Sequence, residues 1–191
     1  MGKTDKREDI LDAAIALFAE QGFHGAPMAL IAKRAGVGTG TIYRYFENRD
    51  ILINALFMKT YEAFENFILK DYPVDRPVRE RFFHICKGAM AYYINHPLEH
   101  RYNEQFHNSP YGQEHRRKKL LAASEDYDFF RTMFVEGRAQ QVIKDIPLPI
   151  YIDLSFAPIV WALRDHFAGV LTLDDGLMDI IVTACWDSIK L

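Results

Sequence analysis

The feature that most restricts how this chain can fold is the spacing of its apolar side chains, which recur every three to four residues along almost its whole length. No segment sustains the period-two alternation, rich in β-branched residues, that a half-buried strand needs. The expected fold class is therefore all-α, with about nine helices set off by glycine and proline. The first is expected over Lys6 to Gln21, with Ile10, Leu11, Ala14, Leu17 and Phe18 on its inner face, Glu8, Asp12 and Glu20 outside, and Gly22 as its stop. Short second and third helices follow, about Met28 to Ala35 and Thr39 to Phe46. Asn48 then caps a long fourth helix that keeps its pattern until Tyr72-Pro73. The stretch Asp71 to Pro77 reads as a linker. A fifth helix covers Val78 to His96, Pro97 opens a sixth, and Asn108 to Gly112 makes a turn. A seventh runs from Gln113 to Ala139, an eighth starts at Pro147 and Pro149, and a ninth fills Gly176 to the end.

With 49% apolar and 26% charged residues among 191, the chain belongs with ordinary globular proteins rather than disordered or fibrous ones. Asp12 breaks the only early apolar run, so no secretory signal is expected, and no stretch approaches about 18 uninterrupted apolar residues. Lys6 stands where a myristoylation signal at Gly2 would need Ser or Thr. The expected location is cytoplasmic, with no membrane partner. Cys86 and Cys185 each sit in an apolar helical pattern and read as small core residues. The net charge of -3 does not suggest a nucleic-acid binder, so its distribution matters more. No acidic residue lies between Gln21 and Phe46, whereas Lys33, Arg34 and Arg44 are basic.

That acid-free segment holds the informative motif, Ile31-Ala32-Lys33-Arg34-Ala35-Gly36-Val37-Gly38-Thr39-Gly40-Thr41-Ile42-Tyr43-Arg44-Tyr45-Phe46. Two short helices about a glycine-bearing turn, with Ile31, Ala32, Ile42 and Phe46 free to pack inward, form the pattern of a helix-turn-helix. The second helix can then offer Thr41, Tyr43 and Arg44 to base edges and phosphates. Gly38 and Gly40 remove side-chain bulk where backbone must approach a phosphate. The bland alternative is a helical hairpin within a larger bundle, with Tyr43, Tyr45 and Phe46 all in its core.

On these residues the sequence resembles the TetR family of repressors. The match consists of Ile31-Ala32, Ala35-Gly36-Val37, Gly40-Thr41, Tyr43 and Tyr45-Phe46, with Leu17-Phe18 and Gly22-Phe23 upstream and Asn48-Arg49-Asp50-Ile51-Leu52 downstream. It covers about Asp9 to Phe57. The resemblance implies a three-helix DNA-binding domain over residues 1-50, joined by the fourth helix to a ligand-binding and dimerisation domain over residues 51-191. It implies that Thr39, Gly40, Thr41, Tyr43, Arg44 and Tyr45 contact double-stranded operator DNA and that Arg49 clamps a phosphate. Two departures stand out. Pro27-Met28 replaces the family's usual capping Thr, and Thr39 replaces a common Lys, so one hydroxyl and one charge-assisted phosphate contact are missing.

Many rings fall in the C-terminal region. Most must be core, yet Phe64, Phe67, Tyr92, Tyr93, Phe130, Phe134, Phe156 and Trp161 are candidates to line an apolar pocket with a few polar tips. By the resemblance, the effector is a small hydrophobic or aromatic molecule, and planar cationic or amphipathic compounds suit aromatic-lined members. Pro158 is expected to bend the eighth helix beside Phe156 and Trp161. The ninth helix (Leu177, Ile180, Ile181, Ala184, Cys185, Trp186, Ile189) is apolar around too much of its circumference for one buried face. A homodimer through helices eight and nine is therefore expected, with a pseudo-palindromic operator.

Two rival signals remain. His96-Pro97-Leu98-Glu99-His100 fits the H-x-x-E-H pattern of some metallohydrolases, so a metal-dependent hydrolase using His96, Glu99 and His100 is the alternative function, with His107 and His115 as further metal candidates. Against it, Pro97 starts a helix and leaves His96 off the ligand face. The run His115 to Lys119 reads as a solvated helix face. With no serine elbow, P-loop or dinucleotide fingerprint, no catalytic residue and no cofactor is expected.

Overall fold

The computed structural model describes residues 5–121 and 129–191. Among them are ten helices and no strand: α1 (Lys6–Gly25), α2 (Met28–Arg34), α3 (Thr39–Tyr45), α4 (Arg49–Leu69), α5 (Val78–Asn95), α6 (Pro97–His107), α7 (Pro110–Leu121), α8 (Phe129–Ala139), α9 (Leu148–Phe167) and α10 (Asp175–Ile189). The single helix expected over Gln113 to Ala139 is described as α7 and α8, and its residues 122–128 lie outside the described ones. The helices expected as eighth and ninth are thus α9 and α10. The chain divides into two compact units, Met1–Ala63 with His96–Arg117, and Phe64–Asn95 with Lys118–Leu191.

In the first unit Asp5 caps α1 by accepting from the Arg7 amide at 3.0 Å. Ile10, Leu11, Ala14, Leu17 and Phe18 are buried, as their spacing requires. Gly22 breaks α1 at the position expected to stop it, but it is not the last helical residue. Helical hydrogen bonding resumes to Gly25 across a kink in which Gly22 takes φ 73°, a left-handed conformation that suits glycine. The kink returns Phe23 to the core, where its ring meets Phe18 edge-on at 5.1 Å. The outer face of α1 is held by cations. Arg34 grips Glu20 through two bonds of 2.7 and 2.9 Å, and Lys59 reaches Glu8 at 2.7 Å and Asp12 at 2.9 Å.

Two elements from much later in the chain complete this unit. On α6, Tyr102 donates its hydroxyl to the Ile53 carbonyl and Gln105 donates its amide to the Phe18 carbonyl, both at 2.6 Å. Phe106 stacks on Phe57 with centroids 3.9 Å apart. The turn expected over Asn108 to Gly112 is shorter than its composition suggested. Ser109 accepts from the Gly112 amide at 3.4 Å, and α7 begins at Pro110, whose fixed φ suits a first turn. Gly112 is then pressed on α6, where an added Cβ would lie 2.2 Å from the Phe106 carbonyl oxygen.

The second unit has its own core of Phe82, Ile85, Cys86, Met90, Phe129, Met133, Tyr151, Ile159, Val182, Trp186 and Ile189, among others. Asp174 caps α10 by accepting from the Leu177 amide at 2.8 Å. On α9, Tyr151, Ser155, Ile159 and Ala162 face inward, and the helix runs unbroken through Pro158. Both cysteines are buried free thiols. Burial raises both thiol pKa values, that of Cys185 to about 11.

Candidate functional site

The α2–α3 pair sorts its side chains as a helix-turn-helix must. Ile31, Ala32, Ile42 and Phe46 are buried in the core of the first unit, and α2 ends at Ala35–Gly36, with Gly36 at φ 67°. That conformation makes the sharp exit between the helices, and a side chain there would be strained. On α3, Thr39, Gly40 and Arg44 are exposed and Thr41 is partly so. Tyr43 and Tyr45 leave 49% and 44% of their surface in solvent. The bundle alternative required both tyrosines inside. Only Ile42 and Phe46 are, and they are the positions a three-to-four spacing assigns to the core. Pro27 precedes α2 with no side-chain capping bond, as its lack of a hydroxyl dictates.

Beside α3, Asn48 accepts from the Ile51 amide at 2.9 Å and so caps α4, leaving Arg49 partly exposed in its first turn. Tyr111 of α7 donates to the Asp50 carboxylate at 2.6 Å. That bond and burial raise the Tyr111 pKa, and the neighbouring Arg49 opposes them. This brace at the start of α4 had no sequence signal, because Tyr111 lay in a stretch that read as a turn. Arg34, counted among the cations of the acid-free segment, is committed to Glu20, which raises its own pKa and lowers that of Glu20 through their shared hydrogen bonds.

In the second unit the candidate pocket rings fall into three groups. Phe64, Phe67, Tyr92 and Tyr93 cluster between α4 and α5, with Phe64 stacked on Tyr93 at 5.4 Å and edge-on to Tyr92 at 5.4 Å. Phe130 and Phe134 lie one turn apart on α8, Phe130 meeting Phe156 edge-on at 4.7 Å and Phe134 meeting Tyr151 at 4.7 Å. Trp161 joins neither. It is 61% exposed on the far side of α9, under the Arg164 guanidinium at 4.8 Å. With Leu154, Ala157 and Pro158 it lines a groove of about 350 Å³ floored by Ala184, Cys185 and Ser188 of α10. Of the apolar residues expected to crowd α10, Cys185, Trp186 and Ile189 are buried within the unit and Ile180 is exposed.

The H-x-x-E-H residues do not assemble as a metal site. His96 precedes α6 in a non-helical conformation, and His100 is buried with Nδ1 4.0 Å from Glu104. Among the described residues no group of three or more His, Cys, Asp or Glu could hold a metal ion, and a catalytic zinc needs three protein ligands. His115 instead packs edge-on against Phe57 at 4.6 Å. No helix among the described residues is long and apolar enough to cross a membrane.

Comparison with known proteins agrees with this geometry at both ends of the chain. Residues 10–56 match the model for bacterial regulatory proteins of the tetR family, and residues 77–190 match a tetracyclin repressor-like C-terminal domain. An HTH-type transcriptional regulator of Haemophilus influenzae is 32% identical over 95 residues, 50% of this chain and 51% of that protein. The match therefore spans about half the length of that curated relative. A TetR family transcription regulator from Shewanella sp. PV-4 superposes with a TM-score of 0.87 at 22% identity, covering 98% of this chain and 99% of the other. FadR from Bacillus subtilis, solved with stearoyl-CoA, gives 0.72 at 19% identity, covering 93% and 95%. With one family match over residues 10–56, which include the exposed α3, and another across more than half its length, the chain belongs to the TetR family of transcriptional regulators.

Proposed function

We propose that this protein is a ligand-responsive DNA-binding regulator, a repressor that binds a pseudo-palindromic operator as a homodimer and is released by a small hydrophobic or aromatic effector. The observation that carries the reading is the sorting of α3, with Ile42 buried while Thr39, Gly40, Tyr43, Arg44 and Tyr45 face solvent. In this reading Thr41 and Arg44 read base edges, Tyr43, Tyr45 and the Gly40 backbone meet phosphates and sugars, and Arg49 clamps a phosphate. The DNA-binding part is taken as residues 1-50 and the effector-binding and dimerisation part as residues 51-191, in the cytoplasm.

Dimerisation through α9 and α10 is supported by the stripe Leu154, Ala157, Pro158 and Trp161. These positions share one helix face and are exposed in the single chain, next to Ala184 of α10. Trp161 is accordingly assigned to self-association rather than to the pocket. Effector binding is assigned to the ring groups around Phe64 and Phe130. It gains support from FadR, a fold neighbour solved with a bound acyl-CoA. Anisotropy titration of a labelled duplex from the DNA flanking the gene, against a scrambled duplex at the same salt, tests the reading. Preference for the flanking DNA by at least about 10³-fold is expected of a specific regulator; equal affinity for both would overturn it.

A further inference from the structure

The second unit buries two polar groups that its apolar surroundings do not require. Tyr151 on α9 has no solvent exposure, and its hydroxyl has no hydrogen-bond partner among the described residues. Ser155, one turn on, donates its own proton to the Tyr151 carbonyl at 2.7 Å. Arg81 on α5 is 6% exposed and pairs with Glu136 of α8 at 2.6 Å, yet its Nε is likewise buried without a partner. Tyr72 hydrogen-bonds the Arg81 guanidinium and acts electrostatically on the Tyr151 phenol, whose pKa burial raises and the Ser155 side chain lowers by a smaller amount. Leaving a buried donor without an acceptor is costly, so two in one unit call for a physical reason.

Both orphaned groups are donors. A guanidinium Nε has one N–H and no lone pair to offer, and the phenol can donate its O–H. One carbonyl oxygen has two lone pairs and could take both. Charge narrows the partner further. Glu136 already neutralises Arg81, so a carboxylate would leave a net negative charge in a low-dielectric interior, and an ammonium would add a cation beside a guanidinium. Aromatic carbon leads away from Tyr151, through Phe134 at 4.7 Å to Phe130 one turn away and Phe156 at 4.7 Å from Phe130.

We propose that Tyr151 and Arg81 form the polar end of an effector site that takes an apolar, ring-bearing molecule through a neutral carbonyl group, with Phe134, Phe130 and Phe156 against its body. This rests on the reading of the C-terminal unit as effector-binding. It departs from the cationic compounds expected of aromatic-lined relatives, because Glu136, the acid that faces this polar end among the described residues, is already paired with Arg81.

The test uses four probes with one diphenyl body on the full-length protein: benzophenone, diphenylmethane, diphenylacetate and protonated benzhydrylamine. Titration calorimetry should show benzophenone binding about tenfold more tightly than diphenylmethane, the worth of one to two net hydrogen bonds, and more tightly than the acid or the amine. Tyr151→Phe should abolish that preference while leaving the ligand-free melting temperature unchanged or raised, since it removes only an unsatisfied hydroxyl. Arg81→Lys, which keeps the charge facing Glu136, should also reduce the preference, and the two losses should not add if both groups hold one oxygen. Photo-cross-linking of bound benzophenone should label α8 and α9. The site assignment fails if ketone and hydrocarbon bind alike, if the acid or amine binds best, if no probe binds, or if Tyr151→Phe lowers the melting temperature. Ketone binding that leaves operator affinity unchanged would instead count against the effector reading while the site stands.

Discussion

Replacing Gly40 by Ala should move stability and DNA affinity in opposite directions. Gly40 is the second residue of α3, exposed, and a Cβ built on it meets no atom within 4 Å. Alanine there removes the backbone entropy cost of glycine in a helix, worth up to about 1 kcal/mol. For a chain of this size that is a rise of about 2–4 °C in melting temperature. The same methyl occupies the space through which the α3 backbone would approach a phosphate. If that approach sets register on the DNA, operator affinity should fall at least about tenfold, or about 1.4 kcal/mol. Calorimetric melting and anisotropy titration at one salt concentration read the two effects separately. A higher melting temperature with unchanged operator affinity would remove Gly40 from the DNA-facing surface. A lower melting temperature would mean that the α3 backbone is not as described.

Gly112→Ala should do the reverse of an ordinary helical Gly→Ala change. Its Cβ meets backbone atoms of Phe106 and His107 at 2.2–2.8 Å, so α7 must retreat at a cost of about 3 kcal/mol, measurable by chemical denaturation; a stabilised variant would refute the close crossing. Arg49→Ala should weaken binding to all sequences alike and lower the salt slope by about one, whereas Thr41 or Arg44 substitutions should change which sequence is preferred; an unchanged slope would place Arg49 off the phosphates. Trp161→Asp should give monomers by sedimentation at micromolar concentration and lose operator binding, and a persistent dimer would put the interface elsewhere. Cys86 and Cys185, buried and with raised pKa values, should resist a disulfide reagent at pH 8 until the protein is unfolded, and rapid labelling of the native protein would contradict their burial.

Most helices were legible because periodicity and capping act locally. Asn48 and Pro97 each stand at the start of a helix in both sequence and structure, through a side-chain acceptor or a fixed φ. The misplacements have local causes as well. A left-handed glycine reads as a stop, but at Gly22 the chain resumes its helix because Phe23 is drawn against Phe18. Asn108-Ser109-Pro110 reads as a turn, but Ser109 and Pro110 are also a cap and a first-turn residue, and they start α7 three positions early. What periodicity could not reveal is that α6 and the start of α7 complete the core holding α1 to α4. That attachment combines the buried rings of Tyr102 and Phe106 with long-range bonds from Tyr102, Gln105 and Tyr111, and local spacing names the partner of none of them.

The candidate sites were legible to different depths for a related reason. A recognition helix is defined by which residues it withholds from the core, and helical spacing alone separated Ile42 and Phe46 from Tyr43, Arg44 and Tyr45. A pocket is defined by what it buries, and rings at helical spacing look the same whether they fill a core, line a cavity or wait for a second subunit. Spacing therefore pooled Trp161 with Phe156, although they lie on opposite sides of α9. Polar side chains discriminate better, because burying one carries a cost that burying a ring does not. Yet nothing in the spacing marks Arg81 or the hydroxyl of Tyr151, since an arginine on a helix is ordinarily exposed and a tyrosine ring at helical spacing is ordinary core. Only their burial, with donors left over after Glu136 and Ser155 are accounted for, separates a site that asks for an acceptor from a core that asks for nothing. The polar end proposed for the effector site therefore rests on burial that local spacing does not mark.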